Sequence, residues 1–263
     1  MVAAQVLAAA LPSGREVAMT KDGRPSLIND IRLFCGSRHS YLEKHEEAHA
    51  YGRRIAWFLN GEGFSLGAYQ SLYLFFDPSL EPGTVQVTDR GGDWWQRYTD
   101  VGVSPKFPNV PDAEECVIRG TFKALMAIRP DQTDVVRKAD AIVREHGENL
   151  RFLLKRHESR KCTVDISFNI GAKPNPSYLF VTSIDKASGA YAEAEPVPLR
   201  FYAEAFDLAG TVKVNDFIAV EPNKSFRAQL ITSRYKTPLT INPATFIDRT
   251  ARPAMSQLVR RRG

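Results

Sequence analysis

Apolar positions between residues 40 and 60 recur at steps of three and four, which is the spacing of one helix face. At about 100° per residue they fall within an arc of about 140°. The arc holds no Lys, Arg, Asp or Glu, whereas Glu47 and Arg54 are among the charged residues outside it. Asn60-Gly61 then supplies a helix stop. The pattern predicts an amphipathic helix over residues 40–60 with a charged back face.

The period changes from helical spacing to two after this helix. Residues 69–77 are aromatic and aliphatic, which is typical of a strand. Residues 84–88 and 94–103 have the same character and are joined across Gly91-Gly92. The three segments predict an antiparallel meander.

The second half of the chain begins with helical spacing and then becomes β-rich. Residues 113–128 and 131–157 each carry an apolar stripe, with a break at Pro130 and a candidate break at Gly147. Alternating segments follow, at residues 162–170, 177–184, 190–195, 199–206, 211–220 and 226–231. This order predicts an α+β fold, in which three to four helices pack on one side of antiparallel sheet and the C-terminal half is β-rich.

The same reading divides the chain into three parts. Residues 1–26 lack periodicity and are expected to form a loosely ordered arm, residues 27–250 a single α+β domain, and residues 251–263 a basic tail. The length of 263 residues and an apolar content of 43% suit a substantial core.

Composition narrows the cellular setting. The net charge of +5 and the pI of about 9.1 allow an acidic partner without requiring nucleic acid. Three cysteines without a C-x-x-C pattern predict a reducing, cytoplasmic environment. No apolar run approaches the roughly 20 residues of a membrane helix, and no Lys or Arg precedes Arg15, so neither a membrane partner nor a secretory signal is expected.

His45-Glu46-Glu47-Ala48-His49 matches the zinc-protease pattern H-E-x-x-H. The spacing places two imidazoles one turn apart, Glu46 where a general base stands, and Glu62 as the nearest downstream third ligand. However, the helix face that carries both histidines also carries apolar residues, which predicts packing and not an open metal position. Zinc bound by His45, His49 and Glu62 is therefore the alternative. A structural site of Cys35, His39 and the two motif histidines is a separate hypothesis.

Gly63-Phe64-Ser65-Leu66-Gly67 matches the serine-hydrolase pattern G-x-S-x-G. A nucleophile elbow needs a strand before the serine and a helix after it. Here a helix precedes Ser65 and a strand follows it, so the glycines are interpreted as turn positions. No phosphate-binding loop of the form G-x-x-x-x-G-K-[ST] occurs.

Basic and aromatic residues give some support to nucleic-acid binding. Trp94, Trp95 and Tyr98 are candidate stacking residues. Since adjacent side chains of a strand point to opposite faces, one of the two tryptophans is expected in the core. A basic cluster lies further along the chain and comprises Arg151, Lys155, Arg156, Arg160 and Lys161.

Three segments in this order resemble bacterial immunity-type proteins of polymorphic-toxin and contact-inhibition systems. They are residues 72–78 (LYLFFDP), residues 95–103 (WQRYTDVGV) and residues 147–150 (GENL), the last followed by Lys155-Arg156. The resemblance covers about residues 55–185 and transfers no catalytic residue. It implies a cytoplasmic binder that blocks a toxin through one surface.

The sequence therefore predicts a non-enzymatic protein-binding protein without a cofactor, with an immunity role as its expected form. Its partner surface is placed at Trp94, Trp95, Tyr98 and Asp100. The alternatives are the zinc-dependent hydrolase and a nucleic-acid-associated defence protein.

Overall fold

The computed structural model describes residues 25–36, 40–88 and 92–260. His39, Gly91, the last three residues and nearly all of the predicted arm lie outside these ranges. In the described part, five α-helices and three mixed or antiparallel sheets form an α+β fold, so the predicted class is confirmed.

The first sheet has the strand order β2-β1-β3-β5-β4. Its strands are β1 (Asp30–Cys35), β2 (Ser40–Tyr41), β3 (Ser71–Asp77), β4 (Val85–Thr88) and β5 (Gln96–Gly102). β1, β3 and β5 run parallel, and only β2 and β4 pair antiparallel, at the two edges. The predicted meander is therefore wrong in its pairing, because β5 inserts between β3 and β4.

Two helices pack on one face of this sheet, α1 (Glu46–Gly61) and α2 (Ala113–Ile128), and a third, α3 (Thr133–His146), packs against both of them. Ile31, Leu74 and Val101 point from the sheet into their shared core. The opposite face carries a separate aromatic cluster of Tyr73, Phe75 and Tyr98.

The second sheet has the order β14-β9-β8-β7-β6-β15, and β10 also pairs with β8. Its strands are β6 (Arg151–Glu158), β7 (Cys162–Phe168), β8 (Ser177–Asp185), β9 (Tyr191–Glu193), β10 (Val197–Leu199), β14 (Ile247–Asp248) and β15 (Met255–Leu258). A small third sheet contains β11 (Thr211–Val214), β12 (Ile218–Glu221) and β13 (Leu239–Ile241). Two short helices, α4 (Glu204–Leu208) and α5 (Phe226–Thr232), pack against each other in this half.

Several predicted elements in the second half are wrong. Residues 151–157 form β6 and not the end of a helix, because the chain breaks at Gly147, which has φ +50. Residues 226–231 form α5, whose first turn is capped by the Ser225 hydroxyl accepting from the Ala228 amide at 3.1 Å. Part of the strand predicted over residues 199–206 is α4.

The prediction of a basic tail over residues 251–263 is also wrong for its described part, residues 251–260. β15 pairs parallel with β6, and Val259 is buried. Asn60, in the last turn of α1, donates to the Arg260 carbonyl at 3.1 Å and accepts from the Arg260 amide at 2.8 Å. Gly61 is required here, since a Cβ atom at that position would come within 2.9 Å of the Gln257 carbonyl oxygen.

α1 is buried on nearly all sides and is the central helix of the molecule. Its predicted charged back face is wrong at Arg54, which is 1% exposed. The Arg54 guanidinium forms an ion pair with Glu47 and donates to the Ile170 carbonyl at 2.9 Å, just beyond β7. The ion pair lies within α1, and the hydrogen bond to Ile170 joins this helix to the end of β7 in the second sheet, because a buried cation must keep its anion and an acceptor.

We expect Glu47→Gln to lower the free energy of unfolding by about 2 kcal/mol, since it leaves the buried Arg54 charge without its anion. Urea denaturation measures the change. Glu43→Gln, at an exposed position three residues before α1, is the control and should stay within about 0.5 kcal/mol of the wild type. Equal effects of the two substitutions would show that the ion pair does not stabilise the fold.

Candidate functional site

The H-E-x-x-H histidines do not share a helix face. His45 precedes the first helical residue, with φ −126 and ψ 61, so only His49 lies in α1. His49 Nε2 lies 2.5 Å from the Leu42 carbonyl oxygen, and Nδ1 lies 3.2 Å from the Tyr41 hydroxyl. A carbonyl can only accept, so Nε2 donates and Nδ1 accepts in the neutral ring. Both nitrogens of His49 are thus engaged, and neither offers a lone pair to a metal.

The remaining zinc candidates lie elsewhere. Glu62 follows the last turn of α1, about 20 Å from His49 at 1.5 Å per residue, and Lys138 Nζ contacts both its carboxylate oxygens at 3.1 Å. Glu46 faces Lys173, with 3.9 Å between Oε1 and Nζ. No group of three or more metal-binding side chains converges among the residues with described positions. The alternative zinc site of His45, His49 and Glu62 is not assembled.

Ser65 lies in a tight turn and is only 3% exposed. Its hydroxyl accepts from the Gly67 amide at 3.0 Å and lies 3.2 Å from the Gly67 carbonyl. Gly63 and Gly67 have φ values of +81 and +88. The glycines are turn positions that favour the left-handed region, as interpreted from the sequence. The serine stabilises this turn and is not presented on an elbow.

The predicted partner surface divides into an exposed part and a buried part. Tyr98 and Asp100 are 8% and 7% exposed, too deep for direct contact with a partner. Trp94 is 71% exposed, and its ring meets Trp95 edge-on with 5.6 Å between centroids. The two tryptophans lie in a turn before β5, so the expectation that they point to opposite faces of a strand is wrong. Of the four residues predicted to contact a partner, only Trp94 and Trp95 are exposed or half-buried.

Hydrogen bonds to the sheet fix this turn. The Trp95 carbonyl accepts from the amides of Gln70 and Ser71, at 2.9 and 3.0 Å. The Gln96 side chain accepts from the Tyr98 hydroxyl at 2.8 Å and from the Asp93 amide at 3.2 Å. Trp94 is therefore presented from a rigid base, which reduces the conformational entropy lost on binding.

The basic cluster is partly structural. Arg156 forms two 2.7 Å hydrogen bonds to the buried Asp165 carboxylate across β6 and β7. Arg151 pairs with Glu193, and its guanidinium lies 3.7 Å from the Phe180 ring centroid. The other three members are exposed around the β6–β7 hairpin: Lys155, Arg160 and Lys161.

A cleft that the sequence did not predict lies between β1, α1 and the segment before α4. Its volume is about 490 Å³, and its lining includes Arg32, Arg53, Arg227, Tyr41 and Phe201. These residues are up to about 200 positions apart in the chain, so spacing could not reveal them. A small-ligand or peptide site commonly has this size.

The charges of the cleft are unbalanced. Three arginines line it, against one aspartate, Asp30. Arg32 pairs with Asp30 at 2.8 Å, and Arg227 lies 3.5 Å from Asp207. Arg53 lies over the rings of Phe201 and Tyr202, at 5.6 and 5.8 Å, and forms no hydrogen bond or ion pair within the described ranges. The cleft therefore attracts an anion.

The motif histidine supports the wall of this cleft. The His49 ring stacks on Tyr41 with 4.6 Å between centroids, and Tyr41 lines the cleft. Burial lowers the pKa of His49 from 6.5, opposed by the hydrogen bond to Leu42. The second histidine of the motif thus positions an aromatic side chain.

No protein-family model, curated protein or solved structure matches the chain significantly. No helix in the described ranges is long and apolar enough to span a membrane.

We expect the free energy of unfolding to fall as the pH drops below about 6.5, because the lowered folded-state pKa of His49 means that the unfolded chain binds the proton first. The free energy of unfolding continues to fall until the pH lies below the folded-state pKa of His49. Urea midpoints between pH 7.5 and pH 5 measure it. His49→Asn should flatten this slope. An unchanged slope in His49→Asn would contradict the assignment.

Proposed function

We propose that the protein is a non-enzymatic protein-binding protein and that the Trp94–Trp95 turn is its principal contact. The observation that carries this proposal is the 71% exposure of Trp94 on a turn held by hydrogen bonds from β3 and β5. Tryptophan is the residue most enriched among interface hot spots, and a preorganised turn loses little entropy on binding.

The position of the turn enlarges the proposed surface. β1, β3 and β5 are parallel and in register at Asp30, Ser71 and Gln96. With strands about 4.8 Å apart, the turn lies about 10 Å from the start of β1 and from the arginine-lined cleft. An acidic partner could contact both features at once.

The biological form that we propose is an immunity protein acting in the cytoplasm on a cognate toxin, as the sequence resemblance implies. The zinc-dependent hydrolase is not proposed, because His45, His49 and Glu62 lie apart.

Trp94→Ala should weaken binding to the proposed cognate toxin by about 30-fold, as expected for a hot-spot aromatic. Titration calorimetry with the purified pair measures the affinity, and rescue of growth on co-expression measures neutralisation. Phe217→Ala, at an aromatic residue 50% exposed in the bend between β11 and β12, is the matched control and should bind as the wild type does. Wild-type affinity in Trp94→Ala would refute the proposed contact.

Nucleic-acid binding is a second candidate, favoured by Lys155, Arg160 and Lys161. These exposed residues have no acidic partner in the described part of the chain. Replacing all three with glutamine should abolish any retention on a heparin column at 0.2 M salt or above, because phosphate contacts release counterions. Elution of the wild type at low salt would exclude this candidate.

A further inference from the structure

The arginines of the cleft keep hydrogen-bond donors that the fold does not use. Arg32 donates to Asp30 through Nε alone, and Arg227 approaches Asp207 through Nε at 3.5 Å. Arg53 makes no hydrogen bond or ion pair within the described ranges. The terminal amino groups of all three side chains therefore lack an acceptor in the described part of the chain. Carboxylates and phosphates are the groups that match the planar fork of a guanidinium.

Aromatic rings lie in the same cleft as these donors. Tyr41 is 49% exposed and Phe201 is 46% exposed, and both line the cleft. Phe34, Trp57 and Tyr202 complete its aromatic lining. Exposed rings in a concave site favour a ligand with a flat apolar part, because stacking removes apolar area from water. The lining therefore suits a ligand that carries both a ring and an anionic group.

The two exposed rings are held in place by residues behind them. The Tyr41 ring stacks on His49, and its hydroxyl donates to Nδ1 of this histidine at 3.2 Å. The buried carboxylate of Glu204 accepts from the backbone amides of Arg200 and Phe201, at 3.0 and 3.4 Å. These contacts preform the cleft, which reduces the conformational entropy lost when a ligand binds.

Arg53 brings the two features within reach of one small molecule. Its Cζ lies 5.6 Å from the centroid of the Phe201 ring and 5.8 Å from that of Tyr202. The cleft volume of about 490 Å³ is typical of pockets for small ligands. Three arginines against Asp30 alone, which is already paired with Arg32, make the lining attractive to an anion and repulsive to a cation.

We propose that the cleft binds a small organic anion with a flat aromatic ring. The phosphate or carboxylate of this ligand pairs with Arg53, and its ring packs on Tyr41 and Phe201. Phosphate and carboxylate share the same chemistry of recognition by guanidinium groups, and the choice of probes distinguishes them. The inference goes beyond the protein-binding function and does not depend on it.

Four soluble probes separate the contribution of the ring from that of the charge. Adenosine monophosphate carries a ring and a phosphate, naphthoate a ring and a carboxylate, adenosine a ring without the anion, and ribose phosphate an anion without the aromatic ring. Titration calorimetry with the full chain measures each affinity. We expect adenosine monophosphate or naphthoate to bind at least about tenfold more tightly than adenosine and ribose phosphate. The tighter of the two identifies the anionic group.

Arg53→Gln should weaken binding of the tighter probe by about tenfold. Arg53→Lys should recover only part of the affinity, since lysine keeps the charge but not the planar fork. Arg137→Gln removes one charge from an exposed position of α3 and should bind the probe as the wild type does. Because Arg53 makes no ion pair within the described ranges, its replacement breaks none in the fold, and an unchanged melting temperature checks this.

Phe201→Leu tests the ring contact and should weaken binding of the tighter probe by about fivefold, since leucine keeps apolar area but offers no ring face. Phe217→Leu is the matched control, at an aromatic residue of similar exposure in the bend between β11 and β12, and should leave the affinity unchanged.

Three results would overturn the proposal: no binding of adenosine monophosphate or naphthoate at millimolar concentration, equal affinity for adenosine or ribose phosphate, or equal weakening by Arg53→Gln and Arg137→Gln. These outcomes are independent of the Trp94 test. Probe binding that requires Arg53, in a protein whose Trp94→Ala variant keeps full affinity for the toxin, would refute only the tryptophan contact.

Discussion

The buried cation of Arg54 is the constraint on which the packing of this protein depends. A guanidinium that is 1% exposed must be met by an anion and an acceptor, and here Glu47 of the same helix supplies the anion and the Ile170 carbonyl, just beyond β7, accepts a hydrogen bond. α1 is thereby held against the second sheet while its other sides pack on β1, α2 and α3. Asn60 makes the corresponding contacts at the far end of the helix. The central helix is fixed by polar contacts at its middle, through Arg54, and in its last turn, through Asn60, and apolar packing covers the rest of it.

The sequence predicted α1, α2 and six strands of the two large sheets, because the apolar spacing of these elements is regular; the six strands are β3, β4, β5, β7, β8 and β9. The sequence-based prediction failed where tertiary contacts override the local pattern of apolar and charged residues. Arg54 looked solvent-exposed, because periodicity reports charge and does not report the tertiary partners that allow a charge to be buried. Residues 151–157 carry an apolar stripe that suits a helix, but the break at Gly147 and pairing with β7 and β15 make them a strand. Strand order in the first sheet was also beyond local patterns, since β5 inserts between its predecessors.

The candidate site could be predicted only in part. The sequence singled out Trp94, which is exposed, but it expected one of the two tryptophans in the core, whereas Trp95 is half-buried. Tyr98 and Asp100 proved to be buried. The cleft was missed entirely, because Arg32, Arg53 and Arg227 come from three elements that meet only after folding. The most conspicuous motif had a different use: His49 satisfies a backbone carbonyl and supports Tyr41. His45 and His49 have the spacing of the zinc-protease motif, but α1 begins at Glu46. His45 therefore lies outside the helix, and the two histidines do not share a helix face.

The contact between α1 and the end of the chain has a consequence for synthesis on the ribosome. Asn60 and Arg260 are 200 positions apart. The last turn of the central helix therefore lacks the amide and the carbonyl of Arg260 until residue 260 has been synthesised. β6 likewise has an open edge until β15 emerges from the exit tunnel. Until residue 260 has been synthesised, a nascent chain therefore exposes a strand edge and part of the core, and chaperone binding in that period would protect it from aggregation.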